Sequence, residues 1–164
     1  MTVHALNEIA KQSTDARLIV TVFRKLAQFR EDYDERYLHE LFATLCRRMP
    51  EEQADKVMSD ALAMDNEIRF RLPDGLSLEE DDPAFPCPHA RALTRLVAHA
   101  GAAEHGLAAA AAEELGIENH RILRKYAGVL ASSLTRGGVE IVWDGAADNL
   151  PMTLGRMPDA DIRL

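Results

Sequence analysis

Aromatic side chains make up only 5% of this 164-residue chain, cysteine occurs twice, and no stretch of about 18 consecutive apolar residues exists. Each shortage excludes something. With so few rings, aliphatic side chains and alanine have to fill the core of a chain that is 47% hydrophobic. Without a long apolar run no membrane-spanning helix is expected, and the start MTVHALNEIAKQ lacks the basic-then-apolar order of a secretory signal. Cys46 and Cys87 are too few for a disulfide framework, so a reduced, cytoplasmic setting is expected. Also missing are a G-x-S-x-G elbow, a phosphate-cradling glycine loop, a G-x-G-x-x-G turn, a C-x-x-C pair and an H-E-x-x-H helix. An enzyme is therefore the less favoured class, no catalytic residue is assigned, and no cofactor is expected.

What is present is helical periodicity. Val3–Gln12 reads as a short helix, and Ser13-Thr14-Asp15, rich in N-cap residue types, as a stop and restart. Leu18, Ile19, Val22, Phe23, Leu26 and Phe29 then keep helical spacing from Ala16 to about Glu31. Leu38, Leu41, Phe42, Leu45, Cys46 and Met49 form an amphipathic stripe in a helix over about Glu35–Met49, capped by Asp32 or Asp34. Pro50, Glu51 and Glu52 open a fourth helix to about Asn66. Glu67–Leu72 alternates with period two and reads as a short strand or as the tail of that helix. Further helices are expected at His89–Ala100, Ala103–Leu115 and, capped by Asn119, to Arg136. Gly101 and Gly116 sit where a left-handed residue ends a helix.

Val139–Asp144 alternates again and reads as a strand. The sum is a mainly α chain of about seven helices in a bundle-like arrangement, with one short β element at 68–72, 139–144 or both. By composition it divides into a helical unit over 1–73, an acidic, Pro-rich connector over 74–88, a second helical unit with the strand over 89–145, and an irregular tail over 146–164. In that tail Leu150, Met152, Leu154 and Met157 are candidates to pack as a strap. One compact domain overall is the expected outcome for this length.

The net charge of −8 is unevenly placed. Residues 1–73 hold 11 basic and 13 acidic side chains, residues 74–118 hold 2 and 9, and residues 119–164 hold 6 and 5. The acidic excess thus precedes the one stretch with a basic helix flank, and it disfavours nonspecific binding to nucleic acid.

That stretch, His105–Asp144, holds an alanine-rich helix, a turn at Gly116, an amphipathic helix and a strand. It resembles the helix-turn-helix-plus-wing arrangement of DNA-binding regulators. Ala112, Leu115, Gly116, Ile117 and Ile122 fall at suitable relative positions. Ile122, Leu123, Tyr126, Val129, Leu130 and Leu134 form the expected buried face. The resemblance implies that His120, Arg121, Arg124 and Lys125 would reach phosphates or base edges. Lys125 departs from the pattern, which wants an apolar residue there, and Glu113, Glu114 and Glu118 would crowd the DNA backbone. A helical hairpin with a solvated basic flank explains the same residues.

Two other readings compete. Cys87, His99 and His105 are the candidate metal or haem ligands: Cys87 belongs to a Cys-Pro-His triplet, and the two histidines flank a helix corner. His89 and His99 lie about 15 Å apart on a straight helix and cannot share an ion. The leading expectation is a non-enzymatic accessory or regulatory protein that works through protein contacts. It would engage a partner, or a second copy as a homodimer, through the apolar face of the helices within 16–66.

Overall fold

The computed structural model describes residues 3–78 and 87–143, with side chains described from Asp15 onward. Residues 79–86 of the acidic connector, Asp144, and the 146–164 tail with its candidate strap lie outside the described residues, as do the side chains of 3–14. Six helices follow one another: α1 (Val3–Asp32), α2 (Arg36–Cys46), α3 (Glu51–Arg71), α4 (Pro88–Gly101), α5 (His105–Glu114) and α6 (Arg121–Arg136). The chain is mainly α, as its periodicity predicts, and none of these helices is long and apolar enough to cross a membrane.

Among the described residues the helix count is one lower than expected because α1 runs unbroken through Ser13-Thr14-Asp15. Asp15 does not cap a new helix; its carboxylate is buried and paired with Arg48, which follows α2. A tertiary partner thus takes the side chain that local chemistry offers to a backbone N–H. Residues 67–71 are the last turn of α3, closed by Leu72 N–H donating to the Ile68 carbonyl, so no strand forms there. Asp34 does serve the start of α2, accepting from the Arg36 backbone and side chain at 2.9 and 2.8 Å. Those hydrogen bonds hold its carboxyl below the usual aspartate range.

Packing radiates from two helices. α4 lies against α1, α5 and α6, and α6 lies against both α3 and α4. One continuous cluster joins Leu18, Ile19, Val22, Phe23 and Leu26 of α1 with Leu41, Leu45, Val57, Met64, Ile68, Leu93, Leu96, Leu123, Leu130 and Leu134. Alanines at 54, 61, 90, 92, 108, 111, 112, 127 and 131 fill the narrow places. Phe23 is the one aromatic ring among its largest fully buried side chains, in keeping with the low aromatic content.

Glycine has two separate duties here. Gly116 and Gly138 take φ of +87° and +84° as the left-handed residues that end α5 and α6. Gly101 has a different one: a Cβ there would lie 2.7 Å from the Cβ of Ala131, so its bareness lets α4 and α6 approach. The left-handed position after α4 falls instead on Ala103, with φ +59°, and Glu104 N–H closes the turn onto the His99 carbonyl at 2.9 Å. An L side chain in that region costs about 1 kcal/mol. Ala103→Gly should therefore raise stability by roughly 0.5–1 kcal/mol, whereas Gly101→Val should lower it by about 1–3 kcal/mol through overpacking. Urea unfolding of both variants checks the opposite signs.

Among the described residues three acids are buried, and each has a cation. Asp15 pairs with Arg48, Asp65 with Arg30, and Asp60 with Lys56. Asp60 also accepts from the Ser133 hydroxyl, and Gln53 donates to the Ser133 carbonyl at 2.8 Å, which ties α3 to α6. Removing a single partner leaves a buried charge uncompensated, while replacing both with apolar groups does not. Arg30→Met should thus cost about 3 kcal/mol, and adding Asp65→Leu should recover most of it. A double-mutant cycle by denaturant unfolding measures the recovery, and additive losses would overturn the pairing argument.

Candidate interaction face on α6

α6 has the sequence RILRKYAGVLASSLTR: four cations and no acid. Its inward side is set by Leu123, Ala127, Leu130, Ala131, Ser133 and Leu134. The expected buried face is therefore rotated. Ile122 and Val129 stand 45% and 40% exposed rather than buried, and Tyr126 is half-buried. The signal for the true phase was Leu123, Ala127, Leu130 and Leu134, a three-four spacing in which alanine holds one position. Alanine at 127 and 131 marks the side that meets α4, where Gly101 leaves room.

With that side turned in, Arg121, Ser132, Lys125, Arg136, Val129 and Ile122 fall in this order across an outward arc of about 100°, at 100° per residue. All but Val129 and Ile122 are polar, and all six are exposed. Cations elsewhere divide: among the described residues Arg17, Arg47, Arg69 and Arg91 form no ion pair, and others do. Lys25, Arg30, Arg36, Arg48, Lys56, Arg71 and Arg95 each meet a carboxylate. Among the described residues, Arg121, Lys125 and Arg136 have no such partner, and their i−4 and i+4 neighbours on the helix include no acid.

The four residues implied by the helix-turn-helix resemblance divide into two pairs. Arg121 and Lys125 face outward. His120 and Arg124 instead pack into the corner before α6: Arg124 Nε donates to His120 Nδ1 at 3.0 Å, and His120 Nε2 lies 3.5 Å from Glu113. An accepting Nδ1 places the proton of the neutral ring on Nε2, toward Glu113. The α6 N-cap position belongs to His120, not Asn119. α5 packs chiefly on α4 and only lightly on α6.

The expected wing is not a strand. Val139 is buried, Glu140 exposed, Ile141 half-buried and Val142 exposed, so the alternation of sides is there. No neighbouring strand exists among the described residues to complete a ladder, and a ladder needs two. The segment instead walls a cleft of about 470 Å³ together with the ends of α4 and α6. Val97, Ala131, Ile141 and Trp143 give it apolar walls; His99, Glu104, Ser132, Arg136 and Glu140 give it polar ones. Ser132 and Arg136 belong to both the cleft and the outward arc.

The candidate metal ligands are not brought together. Cys87 precedes α4 and donates to the Ser77 carbonyl at 3.3 Å, whereas His99 lies near the other end of α4 and bonds Glu104 at 3.2 Å. Twelve residues separate them, about 18 Å along a helix. His105 stands exposed at the start of α5. Among the described residues, no group of three histidines, cysteines or carboxylates is placed to hold an ion.

No known protein family, curated protein or solved structure matches the chain.

Proposed function

We propose that this protein is a non-enzymatic accessory or regulatory protein of the cytoplasm that works by contact with another macromolecule, and that its contact surface is the outward arc of α6. The observation that carries this reading is the exposure of Ile122 and Val129 beside the unpaired Arg121 and Lys125 on one helix face. Apolar side chains held in solvent next to cations suit a protein interface better than a phosphate backbone, which offers Ile122 and Val129 no apolar surface.

The apolar stripe of residues 16–66 is not the contact surface in this reading. Leu18, Ile19, Val22, Phe23 and Leu26 are at most 5% exposed because α2, α3 and α4 already cover them.

A second reading, a DNA-binding regulator, draws on the arrangement of α4, α5 and α6 with Arg121 and Lys125 at the start of α6. The two readings differ in their salt response. Duplex binding through these cations would weaken steeply with salt, and each of Arg121→Ala and Lys125→Ala would lower the slope by about 1. The proposal expects no salt-sensitive binding across a broad pool of duplexes. It also expects a photo-crosslinking side chain at position 129, introduced in the producing cells, to form a protein adduct that the same group at exposed Asp55 does not. Equal adducts at both positions, or none, would overturn it.

A further inference from the structure

The outward arc of α6 carries information about what covers it, and this inference rests on the contact surface proposed above. We infer that the arc receives an acidic amphipathic helix from a partner protein. Three observations select that occupant.

The first is charge. Arg121, Lys125 and Arg136 lie within about 60° of one another on a helix without a single acid. Lys125 has Arg121 at i−4 and Val129 at i+4, so nothing on its own helix neutralises it. In a chain of net charge −8, three cations gathered on one helix face that holds no acid are what an acidic segment would seek.

The second is apolar spacing. Ile122 and Val129 are seven residues apart, about 10 Å along the axis, on the edge of the arc next to the cations. Seven is also the interval at which an amphipathic partner helix repeats an apolar side chain. Carboxylates flanking those side chains would stand over Arg121 and Lys125.

The third is the cleft at the far end. Ser132 and Arg136 lead from the arc into the space walled by Val97, Ala131, Ile141 and Trp143. A helix crossing α6 obliquely from Ile122 would present its last apolar side chain there, where water is partly excluded. Interfaces concentrate their energy in anchors of this kind.

The other occupants fit less well. A second copy using the same arc would set Arg121 and Lys125 against like charges across a two-fold axis. Duplex DNA would satisfy the cations but leave Ile122 and Val129 against phosphates.

The test is a titration of the isotopically labelled full chain, followed by amide NMR, with a peptide of roughly 18 residues. Its leucines are seven residues apart and its flanking positions are glutamate. The same peptide with lysine for glutamate, and a duplex DNA of about 20 base pairs, serve as comparisons. The expected result is saturable shifts at 121–136 and at 97–101 with the acidic peptide alone. Affinity should fall several-fold between about 50 and about 500 mM salt. Ile122→Asp and the pair Arg121→Gln with Lys125→Gln should each weaken binding about tenfold, equivalent to about 1.4 kcal/mol. All altered positions are exposed, and an unchanged thermal midpoint and spectrum confirm that each variant folds.

Equal binding of the lysine peptide, or shifts confined to other helices, would overturn the inference. Shifts on α6 with DNA and not with the acidic peptide would overturn the partner class while leaving α6 as the contact surface. Absence of shifts with all three ligands would overturn the inference, and adducts at position 129 would then separately decide the fate of the contact surface.

Discussion

Gly101 against Ala131 is the contact on which the placement of α6 depends. A bare α-carbon on α4 and a single methyl on α6 let the two backbones approach closely enough for Val97 and Leu130 to share one core. On its other flank α6 is fixed to α3 by the Ser133 hydroxyl on Asp60 and by Gln53 on the Ser133 carbonyl. A helix held from two sides in this way has little rotational freedom. Small residues take the inward positions 127, 131 and 133, and the larger β-branched Ile122 and Val129 are turned toward water. The exposed apolar side chains are therefore a consequence of how α6 is seated.

That dependence also explains what the sequence could and could not disclose. The mainly α class, the aliphatic core, the start of α2 and the end of α5 follow from periodicity and turn chemistry, which are local. Gly116 was legible for the same reason: a glycine after an alanine-rich helix closes it. Continuity of α1 was not, because Asp15 finds Arg48 thirty-three positions away and so leaves its local capping role. The double duty of glycine was equally hidden. Gly101 looks like a helix terminator, yet it serves a helix crossing, and Ala103 takes the strained conformation in its place.

Half of the candidate site was legible. Counting charges along residues 119–136 finds Arg121 and Lys125, since cations without neighbouring acids stand out in any acidic chain. Choosing which of the four cationic or histidine side chains faces outward needs the phase of α6, and hydrophobicity alone points to the wrong one. Ile122 and Val129 are larger than Ala127 and Ala131, so a reading by size turns them inward. Close helix packing reverses that preference, because the approach to α4 admits nothing bulkier than a methyl at 131. His120 and Arg124 then fall into the corner beside Glu113 instead of on the surface.

The electrostatics of the chain give the arc its character. Acids outnumber cations, 27 to 19, so a helix that gathers four cations and no acid stands out. On α1, α2 and α3 several cations have acids at suitable spacing, or across a helix contact, and pair with them, while Arg17 and Arg69 do not. On α6 no helical position near Arg121 and Lys125 is acidic, Glu114 pairs with Arg95, Glu113 faces His120, and Glu118 before the helix forms no ion pair with them. Arg121 and Lys125 are themselves one turn apart and repel by about 0.2–0.5 kcal/mol. A ligand that brought carboxylates to this face would relieve that repulsion and cover Ile122 and Val129 in the same step. Because the two gains come from adjacent edges of one helix, a single amphipathic surface can collect both, and a purely charged or purely apolar one cannot.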